Sequence, residues 1–248
     1  MRQALHSASG DKLFIVIPAY NESENILRVV EGWYPVVEKH NGEGGSRLVV
    51  IDDGSKDNTY EILCEYATAR PLMTVITKKN SGHGPTVRYG YQYAVEHGAD
   101  YVFQTDSDGQ TLPSEFEQFW EKRNKYDLLI GWRNHRKDGF GRVVVTRVLR
   151  MVIAHCFHAA VKDANTPYRL MHADQLKEYL PLIPEDFFLS NVLLTVIYTR
   201  KKKNICYMPI TFRPRQGGVN SINYKRMVKI GIKALSDFRR LNKEIDWS

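Results

Sequence analysis

The chain has 248 residues, of which 43% are hydrophobic and 25% are charged, and its formal net charge is +7. These values exclude a disordered or low-complexity chain, and the length suffices for one large α/β domain or two small ones. The N-terminus lacks the apolar centre of a signal peptide, and no run approaches the roughly 20 uncharged apolar residues that span a bilayer. Cys64, Cys156 and Cys206 lack metal-ligand spacing, which fits free thiols. We therefore expect a cytoplasmic protein, or one bound peripherally to the inner face of a membrane.

The first half of the chain alternates short apolar runs with helical patterns. Such runs predict buried strands, and they occur at about 13–17, 48–51, 72–76, 101–105 and 126–130. Helical patterns separate the first four runs, ending near Glu38, Ala69 and Glu96. Strands that alternate with helices of this length predict βαβ units, and hence an α/β fold with a mostly parallel, doubly wound sheet.

The second half has a different rhythm. It predicts helices at about 141–162, 174–179 and 185–198 and a strand at 205–212. Because no linker rich in Pro, Gly or Ser separates the halves, we expect one domain over 1–212, with halves at about 12–133 and 134–212.

The C-terminal segment, 213–248, is predicted to be a basic loop and an amphipathic helix. From Arg200 onward, thirteen Lys or Arg residues stand against three acids. Apolar residues recur every three or four positions, at Met227, Ile230, Ala234, Phe238 and Leu241. The helix either packs on the domain with a solvated basic side or lies in an anionic membrane interface.

Polar segments follow five of the predicted strands. Ligands of doubly wound sheets bind outside the carboxyl ends of the strands. That rule brings five segments to one crevice: Tyr20–Glu22, Asp52–Asp57, Ser81–Gly84, Asp106–Gln110 and Gly131–Arg133.

The segment after the fourth strand has the most distinctive chemistry. If the strand continues through Asp106 and Asp108, their side chains share one face, and Gln110 joins them if the turn permits. These oxygen ligands suit Mg²⁺ or Mn²⁺, which typically also binds substrate phosphates. The alternative is an Asx-rich turn that caps a helix starting near Pro113.

Taken in order, these motifs resemble those of inverting family 2 glycosyltransferases with the GT-A fold. The resemblance covers about 13–222 and rests on P-x-Y-N-E at Pro18–Glu22, DDGS-x-D at Asp52–Asp57, the Gly-rich segment Lys79–Ala94 and D-x-D-x-Q at Asp106–Gln110. Within the family the chain is similar to the polyprenyl (dolichyl) phosphate sugar synthases.

The resemblance implies roles for individual residues. Pro18, Tyr20 and Glu22 would hold the nucleotide, Asp53 would contact its base, and Gly84 would allow the phosphates to approach a helix N-terminus. Asp106, Asp108 and Gln110 would hold the metal. Arg133 and Arg142 would face phosphates, which suit a planar bidentate donor. Asp163, Thr166 and Arg169 resemble an acceptor-side segment, although Pro167 and Tyr168 depart from its usual form.

The implied reaction moves a sugar from a nucleoside diphosphate sugar to a lipid-phosphate or glycan acceptor. A lipid phosphate is already ionised and requires no general base, whereas a sugar hydroxyl requires one, for which Asp186 at a predicted helix start is the candidate. The donor half would be 12–133 and the acceptor half 134–212. The sequence leaves a homo-oligomer open.

The sequence also suggests two other classes of protein. A nucleotidyltransferase is disfavoured because no Gly-rich activating loop follows the first strand. A basic nucleic-acid-binding module is suggested by Arg200–Lys203, but it leaves the acidic strand ends unexplained, so no nucleic-acid partner is expected.

Overall fold

The structure, a computed structural model, describes residues 10–42, 44–133, 140–214 and 224–247; for 133, 140–146 and 224–232 it describes the backbone alone. The strands in these ranges are β1 (Leu13–Ala19), β2 (Arg47–Asp52), β3 (Met73–Thr77), β4 (Tyr101–Thr105), β5 (Leu128–Arg133), β6 (Tyr168–His172) and β7 (Ile205–Ile210). The α-helices are α1 (Ile26–Lys39), α2 (Thr59–Ala67), α3 (His83–Glu96), α4 (Glu117–Trp120), α5 (Phe140–Phe157), α6 (Ala173–Tyr179), α7 (Ser190–Arg200) and α8 (Tyr224–Glu244).

The seven described strands form one sheet in the order β3-β2-β1-β4-β6-β5-β7. All neighbouring pairs are parallel except those of β6, which runs antiparallel to both β4 and β5. The predicted mostly parallel α/β sheet is therefore confirmed.

Several predicted boundaries were wrong. Helix α7 begins at Ser190 rather than Glu185, so Asp186 lies in the preceding loop and not at a helix start. Helix α5 ends at Phe157, before Lys162, and β7 ends at Ile210. Strand β6 was not predicted, because the charged side chain of Arg169 interrupts its short apolar run.

Helices cover both faces of the sheet, and each face has its own core. Successive residues of β1 alternate between them: Ile15 and Ile17 pack toward α1, whereas Val16 packs toward α3. Trp33 of α1 is the largest fully buried side chain of the core on the α1 side of the sheet, where it contacts Phe103 with ring centroids 5.1 Å apart. Both faces are buried, which explains why β1 and β2 are almost continuously apolar.

The parallel strands leave their polar segments at one edge of the sheet. Strand β1 pairs with β2 as far as Ala19 and Asp52, but its pairing with β4 stops at Val16 and Gln104. The carboxyl ends of β1 and β4 thus separate, and this is where the order of parallel strands reverses direction. Such a switch point forms a crevice that binds ligands in doubly wound sheets.

The described part of α8 packs against the domain. Ala234, Phe238 and Leu241 are buried, and the Phe238 ring lies 5.2 Å from that of Phe157 in α5 and 6.1 Å from that of Phe187. For these three residues the predicted apolar face is the packing face. Among the described helices, none is long and apolar enough to cross a membrane.

Substituting Phe238 with Ala tests this packing. The substitution removes a fully buried ring from the contact with α5, so the free energy of unfolding should fall by about 3–5 kcal/mol. Chemical denaturation measures the change, with Arg240→Ala on the exposed side of the same helix as the control. Equal stability of the two variants would contradict the packing of α8.

Candidate active site

The turn after β1 presents one aromatic ring to the crevice. Tyr20 is 41% exposed, whereas Pro18 is buried within β1 and Glu22 is buried in the turn. The Glu22 carboxylate accepts a hydrogen bond from Asn25 Nδ2 at 3.0 Å, and Asn21 holds a positive φ of 52°. Of the residues predicted to hold the nucleotide here, Tyr20 is the one available to a ligand, and Pro18 and Glu22 shape the turn.

The turn after β1 is bound to the loop after β2. The backbone N–H of Asn21 donates to Ser55 Oγ at 2.9 Å, and Asn21 Oδ1 accepts from the N–H of Lys56 at 2.8 Å. Asp57 lies just before α2 and accepts from the N–H groups of Thr59 and Ser23. The Thr59 hydroxyl also donates to Asp57. Burial raises the pKa of Asp57, but the hydrogen bonds from Thr59 and Ser23 lower it by more, so its pKa lies below the ordinary value.

Asp53 is the anchor of the loop between β3 and α3. Its buried carboxylate accepts from the N–H of Ser81 at 2.9 Å and from that of Gly82 at 2.8 Å, and it forms an ion pair with Lys78. A nucleobase N–H would therefore bind a carboxylate that already has three donors. The carboxylate fixes the two residues that precede α3 relative to the end of β2.

Gly84 allows another segment to cross the start of α3. A Cβ atom at this position would lie 2.4 Å from the carbonyl oxygen of Phe187 and 2.5 Å from that of Phe188. The space next to Gly84 is thus occupied by protein backbone. The described contacts there are with the protein and not with a phosphate site. This crossing brings the loop that carries Asp186 over the helix N-terminus.

Asp186 lies at an exposed position beside the crevice. With Glu185 it borders a groove of about 600 Å³ that also includes Lys78, Ser81 and Arg88. The Arg88 guanidinium holds this loop by donating from Nε to the carbonyl of Ile183 at 2.8 Å.

Asp106 and Asp108 lie in a turn and not in the strand. Strand β4 ends at Thr105, and Gly109 turns the chain with a φ of 70°. Asp108 Oδ1 accepts from the N–H of Gln110 at 3.1 Å, which is the Asx turn of the alternative interpretation. The strand therefore does not extend through Asp106 and Asp108, which was the condition for their side chains to share one face. The alternative helix cap was wrong, because Leu112 precedes the helical turn at Pro113.

The carboxylate of Asp106 is held by two side chains. Its Oδ1 atom lies 3.0 Å from His83 Nε2 and 3.0 Å from Gln104 Nε2. Both donors contact Oδ1, and none of the described side chains donates a hydrogen bond to Oδ2. The His83 side chain is about half exposed, and although burial lowers its pKa, the carboxylates of Asp106 and Asp108 raise it above the ordinary value.

The donor chemistry of this turn fits a hard divalent cation. Gln110 Nε2 donates to the carbonyl of Arg213 at 2.8 Å, so the carboxamide oxygen remains for another ligand. Asp106, Asp108 and Gln110 together offer oxygen ligands suited to Mg²⁺ or Mn²⁺. No cluster of three or more His, Cys, Asp or Glu side chains that could hold a metal occurs within the described ranges. The turn would therefore share a cation with substrate oxygens and would not enclose it.

The side chains of two predicted phosphate ligands lie outside the described part of the structure. The backbone of Arg133 ends β5 at the crevice and that of Arg142 belongs to α5, but their side chains fall among those not described. Arg169 lies beneath the site, fully buried in β6, and donates to the carbonyls of Ala164, Thr166 and Asn191. Its observed contacts are with the protein interior.

The sequence interpretation missed two partners of Asp106. Gln104 precedes Asp106 by two residues, so the alternation of strand side chains was a signal that could have identified it. His83 lies within the predicted crevice segment Ser81–Gly84, but its contact with Asp106 depends on how the loop after β3 folds back over β4. No local pattern predicts that contact.

Comparison with known proteins identifies the class to which this site belongs. Residues 14–180 match the model of glycosyl transferase family 2, and the chain belongs to that family. This confirms the predicted glycosyltransferase class and the resemblance on which it rested.

Sequence relatives act on lipid phosphates according to their names. The chain is 25% identical over 233 residues to dolichyl-phosphate beta-glucosyltransferase ALG5C of Trichomonas vaginalis, with 88% of this chain and 68% of that protein covered. It is 23% identical over 200 residues to undecaprenyl-phosphate 4-deoxy-4-formamido-L-arabinose transferase of Pectobacterium carotovorum, covering 76% of this chain and 60% of that protein.

Solved structures share the fold. Glucosyl-3-phosphoglycerate synthase from Mycobacterium tuberculosis, in complex with Mn²⁺, UDP-glucose and phosphoglyceric acid, superimposes with a TM-score of 0.68 at 17% identity. The superposition covers 96% of this chain and 82% of that one. The GT-A architecture predicted from the motif order is therefore confirmed.

Substituting Gly84 with Ala tests the crossing over α3. The added methyl group meets backbone carbonyls that have little room to move, so the free energy of unfolding should fall by about 2 kcal/mol or more. The melting temperature measures this change. The control is Gly32→Ala in α1, where the nearest atom is a side-chain carbon of Pro113 at 3.2 Å. A Gly84 variant as stable as this control would show that the loop does not rest on the helix.

Proposed function

We propose that this protein is a metal-dependent inverting glycosyltransferase that moves a sugar from a nucleoside diphosphate sugar to a polyprenyl phosphate or another lipid-linked acceptor. The observation that carries the proposal is the turn Asp106–Gln110 at the crevice between β1 and β4, in a chain of family 2. The donor half is 12–133 and the acceptor half 134–212, and 213–248 form the C-terminal basic segment.

The donor site is assigned to the loops after β1, β2 and β3. The exposed ring of Tyr20 is suited to cover a nucleobase, and Asp53 to accept from a base N–H beside its loop contacts. The N-terminus of α3, which includes Gly84, adds a favourable field for phosphates that lie beside the backbone crossing at 187 and 188. The similar synthase from Mycobacterium tuberculosis was solved with UDP-glucose and Mn²⁺, which supports this class of donor.

The chemical barrier is the charge that develops on the departing diphosphate. Mg²⁺ or Mn²⁺ bound at Asp106, Asp108 and Gln110 would supply a positive charge against that leaving group. We assign Arg133 and Arg142 to the same task from their positions in the sequence. The carboxylates are thus assigned to the leaving group and not to proton removal.

The acceptor decides whether a base is needed. The names of both sequence relatives contain a polyprenyl phosphate, which supports an acceptor that is already ionised at neutral pH. A sugar hydroxyl acceptor is the second candidate, because exposed Asp186 borders the groove beside Ser81 and is suited to take a proton there.

A lipid acceptor calls for contact with a membrane surface. On α5, Val148 is 48% exposed and Met151 is 70% exposed, and Arg147 and Arg150 are exposed beside them. Helix α8 packs against α5 and adds four exposed cations, Lys233, Arg239, Arg240 and Lys243. We assign this basic and apolar surface, the α5/α8 surface, to an anionic bilayer. A nucleic-acid partner is not part of the proposal, and a homo-oligomer is compatible with it.

The donor and the acceptor are tested together. The protein is incubated with Mn²⁺, a panel of UDP-, GDP- and dTDP-sugars, and either a polyprenyl phosphate or a methyl glycoside. One donor should release nucleoside diphosphate faster with the polyprenyl phosphate, and mass spectrometry should detect the glycosylated lipid. Transfer to the glycoside alone would favour the hydroxyl acceptor, and no turnover of any donor would refute the proposed function.

Asp108→Ala should abolish the metal-dependent turnover because it removes one of two carboxylates from the turn, with a loss of about a hundredfold or more. The melting temperature should stay close to that of the wild type. Glu121→Ala, which removes an exposed carboxylate after α4, is the matched control. Full activity of the Asp108 variant would exclude this residue from the site.

Membrane contact is measured by flotation with anionic and with neutral vesicles. Met151→Asp should reduce binding to anionic vesicles about tenfold, because it places a charge in the apolar centre of the α5/α8 surface. Leu27→Asp makes the same change at an exposed position on α1 and should have no effect. Equal binding of both variants would exclude α5 as the contact.

A further inference from the structure

A chain of buried polar side chains runs from helix α3 to Asp106. The Tyr91 hydroxyl donates to Asn191 Oδ1 at 2.7 Å, and Asn191 Nδ2 donates to Gln104 Oε1 at 3.0 Å. Gln104 Nε2 then donates to Asp106 Oδ1 at 3.0 Å. All three donors are buried, and the first two hydrogen bonds form where water does not compete, whereas the third reaches the partly exposed carboxylate of Asp106.

The three hydrogen bonds all donate in the same direction, from Tyr91 toward Asp106. Burial raises the pKa of Tyr91, so its hydroxyl stays protonated and acts as the donor. This orients both amides, because each must present its oxygen to the preceding donor and its nitrogen to the next acceptor. Every hydrogen bond therefore points toward the carboxylate of Asp106, and such bonds strengthen one another in a low-dielectric interior.

The members of the chain come from three elements that the fold holds rigidly. Gln104 lies in β4, opposite Arg169 of β6, and Tyr91 lies in the middle of α3. Arg169 donates to the backbone carbonyl of Asn191 at 3.0 Å and to Thr195 Oγ1 at 3.3 Å, which fixes the first turn of α7. The backbone of Gln104 is held on both sides of the strand, because it pairs with Val16 of β1 and with Arg169 of β6.

We propose that Gln104, Asn191 and Tyr91 are positioning residues that hold Asp106 for its metal and the substrate diphosphate. Gln104 holds Oδ1, so the carboxylate does not rotate, and Oδ2 is directed to the ligand. This inference rests on the proposed function, because it gives the three hydrogen-bonded side chains a role at the proposed metal site. Residues that hydrogen-bond a metal-binding carboxylate, without contacting the metal themselves, are expected to influence metal affinity strongly.

The proposal is tested by the binding of Mn²⁺ alone to the full chain, measured from the electron paramagnetic resonance signal of the free ion. Gln104→Met removes the donor to Asp106 with little change in length, and it should weaken Mn²⁺ binding about tenfold. Tyr91→Phe removes only the first donor and should weaken binding about threefold. If the Gln104 variant does not fold, the Tyr91 variant decides.

Tyr198→Phe is the matched control for Tyr91→Phe. The Tyr198 hydroxyl is buried on α7 and has no hydrogen-bond partner in the described part of the chain, so its removal should leave Mn²⁺ binding unchanged. A purely structural role of the chain predicts lower melting temperatures for the Gln104 and Tyr91 variants with wild-type Mn²⁺ affinity, and that result would overturn the proposal.

Asp108→Ala separates this proposal from the proposed function. If Asp108→Ala weakens Mn²⁺ binding but Tyr91→Phe and Gln104→Met do not, the positioning role is refuted and the metal site stands. If Asp108→Ala binds Mn²⁺ as the wild type does, the metal site is refuted, and the positioning role is refuted with it.

Discussion

The unequal pairing of β1 with its two neighbours determines where the site lies. Strand β1 stays paired with β2 to the last residue of both, but it leaves β4 three residues earlier, after Val16. This separation opens the sheet at the point where the loops with Tyr20, Asp53 and Asp106 begin. The loops after β1 and β2 and the acidic turn after β4 therefore meet because of backbone hydrogen bonding within the sheet, before any side chain contributes.

Most acidic side chains of the crevice are already bound by protein donors. Asp53 accepts from two backbone N–H groups and Lys78, Asp57 accepts from two N–H groups, and Asp106 is held at Oδ1. Carboxylates that are fixed in this way lose little freedom when a ligand arrives, which is the physical meaning of preorganisation. Asp186 differs, because it lies exposed on a loop.

The sequence was sufficient for the parts of this fold that depend on local pattern. The apolar runs of β1 and β2 and the polar residues after them predicted the sheet and its ligand edge, because both follow from strand period and strand direction. The role of Gly84 was not predictable, since its neighbours at 187 and 188 are a hundred residues away in the chain. The contact of Asn191 with Gln104 was hidden for the same reason. Strand β6 was missed because its second residue is the buried Arg169, which only a tertiary set of carbonyl acceptors can accommodate.

The antiparallel strand β6 also has a consequence for the order of folding. Strands β3, β2, β1 and β4 all lie before residue 106, so this half of the sheet can pair early. The outer edge of β4 has no partner until Tyr168–His172 have been synthesised, and β5 joins β4 only through β6. A nascent chain between these two points exposes an unpaired apolar strand edge, which is a site of aggregation. The segment that completes the sheet thus also protects the growing chain.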